Sequence, residues 1–166
     1  MVLYAVNTGL RDSNVCVLQW LWEVPDPEIG RSFFVVPPEA YKSKRVHMVI
    51  LNDAAWSIVQ TQRHKHPTWV SPYRGKSIGT MNNNGWQHAR RRAGLASVRV
   101  HDLRHTYGAR LRTAGVSKED CAALLGHAWR SMPEFYASPN IGRLISLSNR
   151  VMNRTGTVTT VRMACG

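Results

Sequence analysis

The segment HDLRH, residues 101–105, places two histidines and an arginine around one acidic residue. Such a cluster can be a metal site, a phosphate-binding site, or the basic face of a helix with no ligand. Zinc could use His101 and His105, because residues four apart share one face of a helix. However, the segment lacks an HExxH glutamate, and a two-metal nuclease needs several carboxylates in a chain with only 10 acidic residues. The sequence therefore disfavours a metal site, and no cofactor is expected.

Arg104 stands out because of its predicted place in a helix. The helix is predicted to begin near Asp102, which puts Arg104 in its first turn, where free N–H groups and the helix dipole favour an anion. Apolar residues then recur every four positions, at Leu103, Tyr107 and Leu111. A guanidinium oriented beside this stripe can donate two parallel hydrogen bonds to a phosphate. The pattern favours a phosphate clamp, with an ordinary basic helix as the alternative.

The charge of the chain points to a polyanionic partner. Lys and Arg number 22 against 10 Asp and Glu, which gives a formal net charge of +12 over 166 residues. Nucleic acid is the expected partner of such an excess, and no long amphipathic basic helix supports a membrane surface instead. The chain has no apolar run of the ~20 residues that cross a bilayer. Its first residues do not resemble a signal peptide, so we expect a cytoplasmic protein with reduced cysteines.

The chain combines β-like and helical patterns. Three runs, LQWLWEV, RSFFVVP and RVHMVIL, are separated by turn-like segments and predict a small three-stranded antiparallel sheet. Helices are predicted at Val2 to Val6, after Arg11, from Asn52 or Asp53 to Ile58, from Asn82 to Arg92, from Asp102, from Ser117, and from Ile141 to Met152. The expected fold class is α+β and mainly helical.

Three separate segments carry a more specific pattern. TGLR ends at Arg11, HDLRH contains His101 and Arg104, and LLGH ends at His127, with Tyr136 nine residues further on. In this order and spacing they resemble the signature segments of the tyrosine recombinases, the phage integrase family.

A further segment supports the same resemblance. VPPEAYKSKRVHMVILND is similar to the β-hairpin of that family, with Lys42 at the position of its catalytic lysine and Lys44 as the alternative. The similarity extends from the first residues to about Arg150, which is the family's catalytic domain. We therefore expect a catalytic domain over residues 1–152, without the N-terminal DNA-clamping domain, and a flexible tail over residues 153–166.

The resemblance implies metal-independent cleavage and rejoining of double-stranded DNA. Tyr136 would attack the scissile phosphate and leave a 3′-phosphotyrosine and a free 5′-hydroxyl. Arg11 and Arg104 would bind the non-bridging oxygens, on which negative charge accumulates in the transition state. The family's members assemble as tetramers on DNA, and the predicted helix at 141–152 could dock onto a neighbouring copy.

The resemblance also implies the acid–base groups. His101 is expected to act as the acid–base partner of the nucleophile, and His127 to donate a hydrogen bond to the phosphate or assist that role. Lys42, with a compact ammonium on a flexible stem, would protonate the departing 5′-oxygen.

Two residues depart from the family's pattern. Asn14 stands where a glutamate supports the first arginine, and Pro133 stands where a threonine is common. These departures, with the missing domain, leave a second hypothesis open, that of a DNA-binding module that has lost cleavage. A metal-dependent nuclease is a third hypothesis.

Overall fold

The computed structural model describes residues 1–40, 44, 46–127 and 141–152. Two short helices, α1 (Val2–Thr8) and α2 (Asp12–Cys16), come first. Strands β1 (Glu23–Asp26), β2 (Arg31–Val36) and β3 (His47–Val49) follow and form an antiparallel sheet in that order. The sheet is continuous through Phe34, which pairs with Glu23 on one side and Val49 on the other.

Five helices follow the sheet in the described part of the chain. They are α3 (Asp53–Gln62), α4 (Asn84–Arg92), α5 (Val100–Thr113), α6 (Lys118–Leu124) and α7 (Ile141–Asn149). Asparagine caps begin two of them, because the side chains of Asn52 and Asn83 accept hydrogen bonds from backbone N–H groups of the first turn. The predicted α+β, mainly helical fold with a three-stranded antiparallel sheet is confirmed. None of the described helices is both long and apolar enough to span a bilayer.

The sheet separates two hydrophobic clusters. Neighbouring residues of a strand point to opposite faces, and Phe34 and Val49 accordingly join one cluster while Phe33 and Met48 join the other. The first cluster contains the apolar faces of α1, α2 and α3, and the second contains those of α5, α6 and α7. Helix α5 contributes to both clusters, with Leu103 in the first and Tyr107 and Leu111 in the second.

The last described helix packs on its own chain. Leu144 is fully buried, and Ser148 Oγ lies 2.7 Å from the hydroxyl of Tyr107 in α5. Arg143 forms a two-pronged ion pair with Asp120 of α6, with N–O distances of 2.8 and 2.6 Å. These contacts fix α7 against α5 and α6 of the same protomer.

Two local predictions were wrong. The first β-like run, LQWLWEV, forms a 3₁₀ turn at Trp20–Trp22 before β1 begins. The Trp20 N–H donates to the Thr68 carbonyl and not to strand β2. Helix α5 begins at Val100, two residues earlier than predicted. Its N-cap is Arg99, whose N–H donates to Asp102 Oδ2 at 2.8 Å, so Arg104 lies in the second turn.

Candidate active site

Arg104 is a buried cation held by three protein acceptors. Its Nη1 donates to the Gly9 carbonyl at 2.6 Å and its Nη2 to the Leu125 carbonyl at 2.7 Å. Nη2 also lies 2.9 Å from His127 Nε2. Only 8% of the residue is exposed. Because Arg104 lies beyond the first turn of α5, these contacts rather than the dipole of its own helix fix the guanidinium.

Both carbonyls that bind Arg104 lie at the carboxyl ends of helices. Gly9 ends α1 and Leu125 ends α6. The carboxyl end of a helix carries partial negative charge on its unpaired carbonyls, and a cation there is stabilised. The guanidinium is thus stabilised by two helix ends, one contributed from each side of the sheet.

Gly9 can present its carbonyl only because it has no side chain. Its φ is +64°, in the left-handed region that favours glycine. A Cβ at this position would lie 2.5 Å from Cδ1 of Tyr107 and 2.9 Å from Cδ2 of Leu125. The glycine of the TGLR segment therefore lets α1 end directly on the ring of Tyr107.

The end of α6 positions His127 through a Schellman motif. The His127 N–H donates to the Ala122 carbonyl at 2.8 Å, and the Gly126 N–H donates to the Ala123 carbonyl at 2.9 Å. Gly126 has a φ of +70°, as this motif requires. The LLGH segment thus turns sharply and points its histidine back toward Arg104.

The contact with Arg104 determines the tautomer of His127. A guanidinium has only donors, so Nε2 of His127 must be the acceptor at 2.9 Å. The ring proton is then on Nδ1. In this arrangement His127 is neutral and can donate a hydrogen bond to a ligand through Nδ1.

His47, at the start of β3, connects these groups and was not singled out in the sequence. The residue is completely buried. Its pKa is lowered to about 3 by burial and then by the charges of Arg104 and Arg11, while the Leu124 carbonyl opposes the shift. One buried imidazole therefore lies near both predicted catalytic arginines and the third histidine. A single polar residue inside the apolar run VHMVI was the available sequence signal.

Arg11 is brought to the same region by the break between α1 and α2. It is the N-cap of α2, with extended backbone angles, and its carbonyl accepts from the N–H groups of Asn14 and Val15. Its Nη1 is inaccessible to solvent. Its charge, after that of Arg104, lowers the pKa of His47.

His101 lies at the exposed edge of this group. Its ring packs edge-on against His105, with centroids 4.5 Å apart. Partial burial, followed by the charges of His105 and Arg104, lowers the pKa of His101. His101 is thus neutral at pH 7 and able to accept a proton. Among the residues that the structure describes, no three His, Cys, Asp or Glu side chains are grouped as a metal site would need.

Two predicted catalytic residues, Lys42 and Tyr136, lie outside the described residues, as does Pro133. Lys44 is described and has a φ of +53°. The structure therefore joins Arg104 to His127 and to Gly9 of the segment that carries Arg11, and His101 lies three residues before Arg104 on α5. The catalytic roles of Arg11, Lys42, His101, Arg104, His127 and Tyr136 stay predictions.

Comparison with known proteins identifies the family of the chain. Residues 1–142 match the phage integrase family. The chain belongs to that family. Over 129 residues it is 35% identical to the integrase of Salmonella phage P22, a match that covers 70% of this chain and 32% of that protein. The chain thus spans about a third of the length of this relative. No solved structure gives a significant match.

Asn14, where this integrase-family chain departs from the pattern, has a structural role. The side chain is completely buried, and its Nδ2 donates to the Ala40 carbonyl at 2.6 Å. It thereby joins α2, which begins after Arg11, to the end of the segment that follows β2. The residue at position 14 links two parts of the fold that the predicted site uses.

Proposed function

We propose that this chain is the catalytic domain of a site-specific DNA recombinase. It would cut and rejoin double-stranded DNA through a phosphotyrosine intermediate at Tyr136, without a metal ion. The observation that carries the proposal is the buried guanidinium of Arg104, which the carbonyls of Gly9 and Leu125 fix and which lies 2.9 Å from His127 Nε2. These contacts join the TGLR, HDLRH and LLGH segments in a member of the phage integrase family.

The arginines suit a phosphate in the transition state of its transfer. Arg104 is held before any ligand arrives, by the carbonyls of Gly9 and Leu125. A donor that is already oriented needs no reorganisation when charge develops on the phosphate oxygens. Arg11 and Arg104 would stabilise that charge together, in place of a metal ion.

The proposed cleavage step needs no cofactor, because residues of the chain take up and supply the protons. The phenol of Tyr136 loses its proton to His101, and its oxygen forms a bond to the scissile phosphorus. The bond from phosphorus to the 5′-oxygen breaks, and Lys42 supplies the proton that completes the 5′-hydroxyl. The phosphotyrosyl ester retains the energy of the broken bond, so the same steps in reverse rejoin DNA.

The neutral states of the two histidines fit these roles. The lowered pKa of His101 leaves a free nitrogen lone pair at pH 7. His127, with its proton on Nδ1, would donate to a non-bridging oxygen while its Nε2 remains bound to Arg104. His101 then acts as the proton acceptor, and His127 donates a hydrogen bond to the phosphate.

The charge of the surface supports DNA as the partner. The net charge is +12, and the last turn of α4 contains Arg90, Arg91 and Arg92. Arg90 has a structural role, because its Nη1 donates to the Val98 carbonyl at 2.8 Å. Arg91 and Arg92 are exposed and would contact backbone phosphates, and copies of the chain would assemble on the same DNA.

The deciding experiment detects a covalent protein–DNA adduct. The substrate is a pool of labelled duplexes with one nick and randomised flanking sequence. Cleavage near the nick releases a short strand that diffuses away, so the covalent intermediate cannot rejoin the DNA and accumulates. We expect an adduct that resists SDS, forms in EDTA and is abolished by Tyr136→Phe. Tyr73→Phe is the matched control, since Tyr73 is 61% exposed and therefore accessible to DNA. An adduct retained by Tyr136→Phe would contradict the proposal.

A DNA-binding module without cleavage is the second candidate. It is favoured by Asn14, which donates to the Ala40 carbonyl where the family's glutamate would support Arg11. In that case the same duplexes would be bound in a gel-shift assay and no adduct would form. Cleavage that requires magnesium would instead indicate a metal-dependent nuclease.

A further inference from the structure

His47 is the polar residue that the cleavage scheme does not use. It is completely buried in a strand whose two other residues, Met48 and Val49, are apolar and belong to the hydrophobic clusters. A buried histidine in such a strand costs free energy of solvation unless its surroundings compensate for it. Its position against the catalytic segments gives the residue a specific role.

The ring of His47 packs directly on the backbone of Gly126. A Cβ built on Gly126 would lie 2.3 Å from Cδ2, 2.4 Å from Cγ and 2.5 Å from Nε2 of the ring. Contacts this short with three ring atoms mean that only glycine allows the approach. The turn that carries His127 is therefore seated on the side chain of His47.

The same ring lies among the cations of the site. Burial and the charges of Arg104 and Arg11 keep it neutral, since they lower its pKa to about 3. A protonated residue here would repel both guanidinium groups, and a smaller residue would leave a space beneath Gly126. A neutral planar ring fills the space without adding charge.

We propose that His47 is a positioning residue of the recombination site, which seats the Gly126–His127 turn on β3 and thereby sets the distance from His127 to Arg104 and Arg11. This proposal rests on the proposed function, because the spacing matters only if the three groups share one phosphate. His47 acts through Gly126 and His127 and does not itself contact DNA.

The test compares three variants in single-turnover adduct formation on the nicked duplex pool. His47→Ala removes the ring, and a misplacement of about 1 Å should slow adduct formation about a hundredfold. The affinity for intact duplex, measured by gel shift, should stay unchanged, since the exposed basic surface is intact. His47→Gln restores bulk and a polar group and should recover most of the rate.

Met48→Ala is the control for a loss of stability alone. Met48 is the next residue of β3, is equally buried, and belongs to the second cluster on the opposite face of the strand from His47. Urea unfolding establishes that both alanine variants are folded under the assay conditions. Equal slowing of Met48→Ala and His47→Ala would overturn the proposal, as would a normal rate in His47→Ala.

A second readout separates this proposal from the proposed function. NMR spectra of the histidine rings report the environment of His127 in the DNA-free protein. We expect His47→Ala, but not Met48→Ala, to shift the His127 resonances as the contact of His127 with Arg104 loosens. If the wild-type chain forms no adduct and these shifts appear, the proposed function is wrong and the positioning role of His47 stands. If adducts form and His127 is unmoved, the positioning role fails.

Discussion

Acid should destabilise this protein through His47 before its carboxylates are protonated. The ring has an ordinary pKa of 6.5 when the chain is unfolded and a pKa of about 3 in the folded state. Because a tenfold difference in proton affinity is worth about 1.4 kcal/mol, protonating the folded state costs about 5 kcal/mol more than protonating the unfolded chain. The charges of Arg104 and Arg11 both act in this direction.

The sign of the effect follows from proton binding. Below pH 6.5 the unfolded chain binds a proton at His47 and the folded chain does not, so acid favours unfolding. The stability is fully present above that pH and is lost as the pH falls toward 3. At about pH 5 the free energy of unfolding should be lower by about 2 kcal/mol from this residue alone.

The assay is urea unfolding at about pH 7.5 and about pH 5, with the wild type and His47→Gln compared. Glutamine does not titrate, so the difference between the two proteins isolates His47 from every other histidine and carboxylate. We expect the wild type to lose about 2 kcal/mol more than the variant between these pH values. An equal loss in both proteins would refute the conclusion that a neutral imidazole is buried among cations.

Three further outcomes follow from the same contacts. Gly126→Ala should lower the free energy of unfolding by more than about 2 kcal/mol in urea titrations, from its left-handed backbone and the contact with His47, and by less in a His47→Ala background. Asp120→Asn should cost about 1 kcal/mol, because Arg143 is more than half exposed. The ion pair lowers the pKa of Asp120, so this cost should be present at neutral pH and disappear as the pH falls through that lowered pKa. The rate of adduct formation should fall on acidification only below the ordinary pKa of histidine, because the pKa of His101 is lowered. When rates are measured across the same pH values, the His101→Gln variant should not show this fall.

Much of the fold could be predicted because local signals mark its elements. Asn52 and Ser117 cap helices as predicted, since each side chain accepts from an N–H of the following turn. The beginning of α5 was misplaced because its cap is Arg99, a residue without a side-chain acceptor, and the compensating carboxylate of Asp102 lies inside the helix. The first β-like run was misread because its partner, the segment at Thr68, is distant in sequence.

The candidate site shows the same division between local and distant information. Arg11, His101, Arg104 and His127 could be proposed from the sequence because they lie in recognisable segments. The role of His47 could not, since it depends on the approach of Gly126 from another element. Neither could the acceptors of Arg104, because backbone carbonyls leave no mark in the sequence.

The partners of Arg104 also bear on when the site can form during synthesis. One carbonyl, at Gly9, lies 95 residues before it, and the other, at Leu125, lies 21 residues after it. Closing the longer loop costs conformational entropy that only the packed sheet and helices offset. A nascent chain that ends at α5 has the arginine but lacks Leu125 and His127. Ribosome-bound intermediates that end at α5 should thus carry the arginine without the contacts that orient its guanidinium.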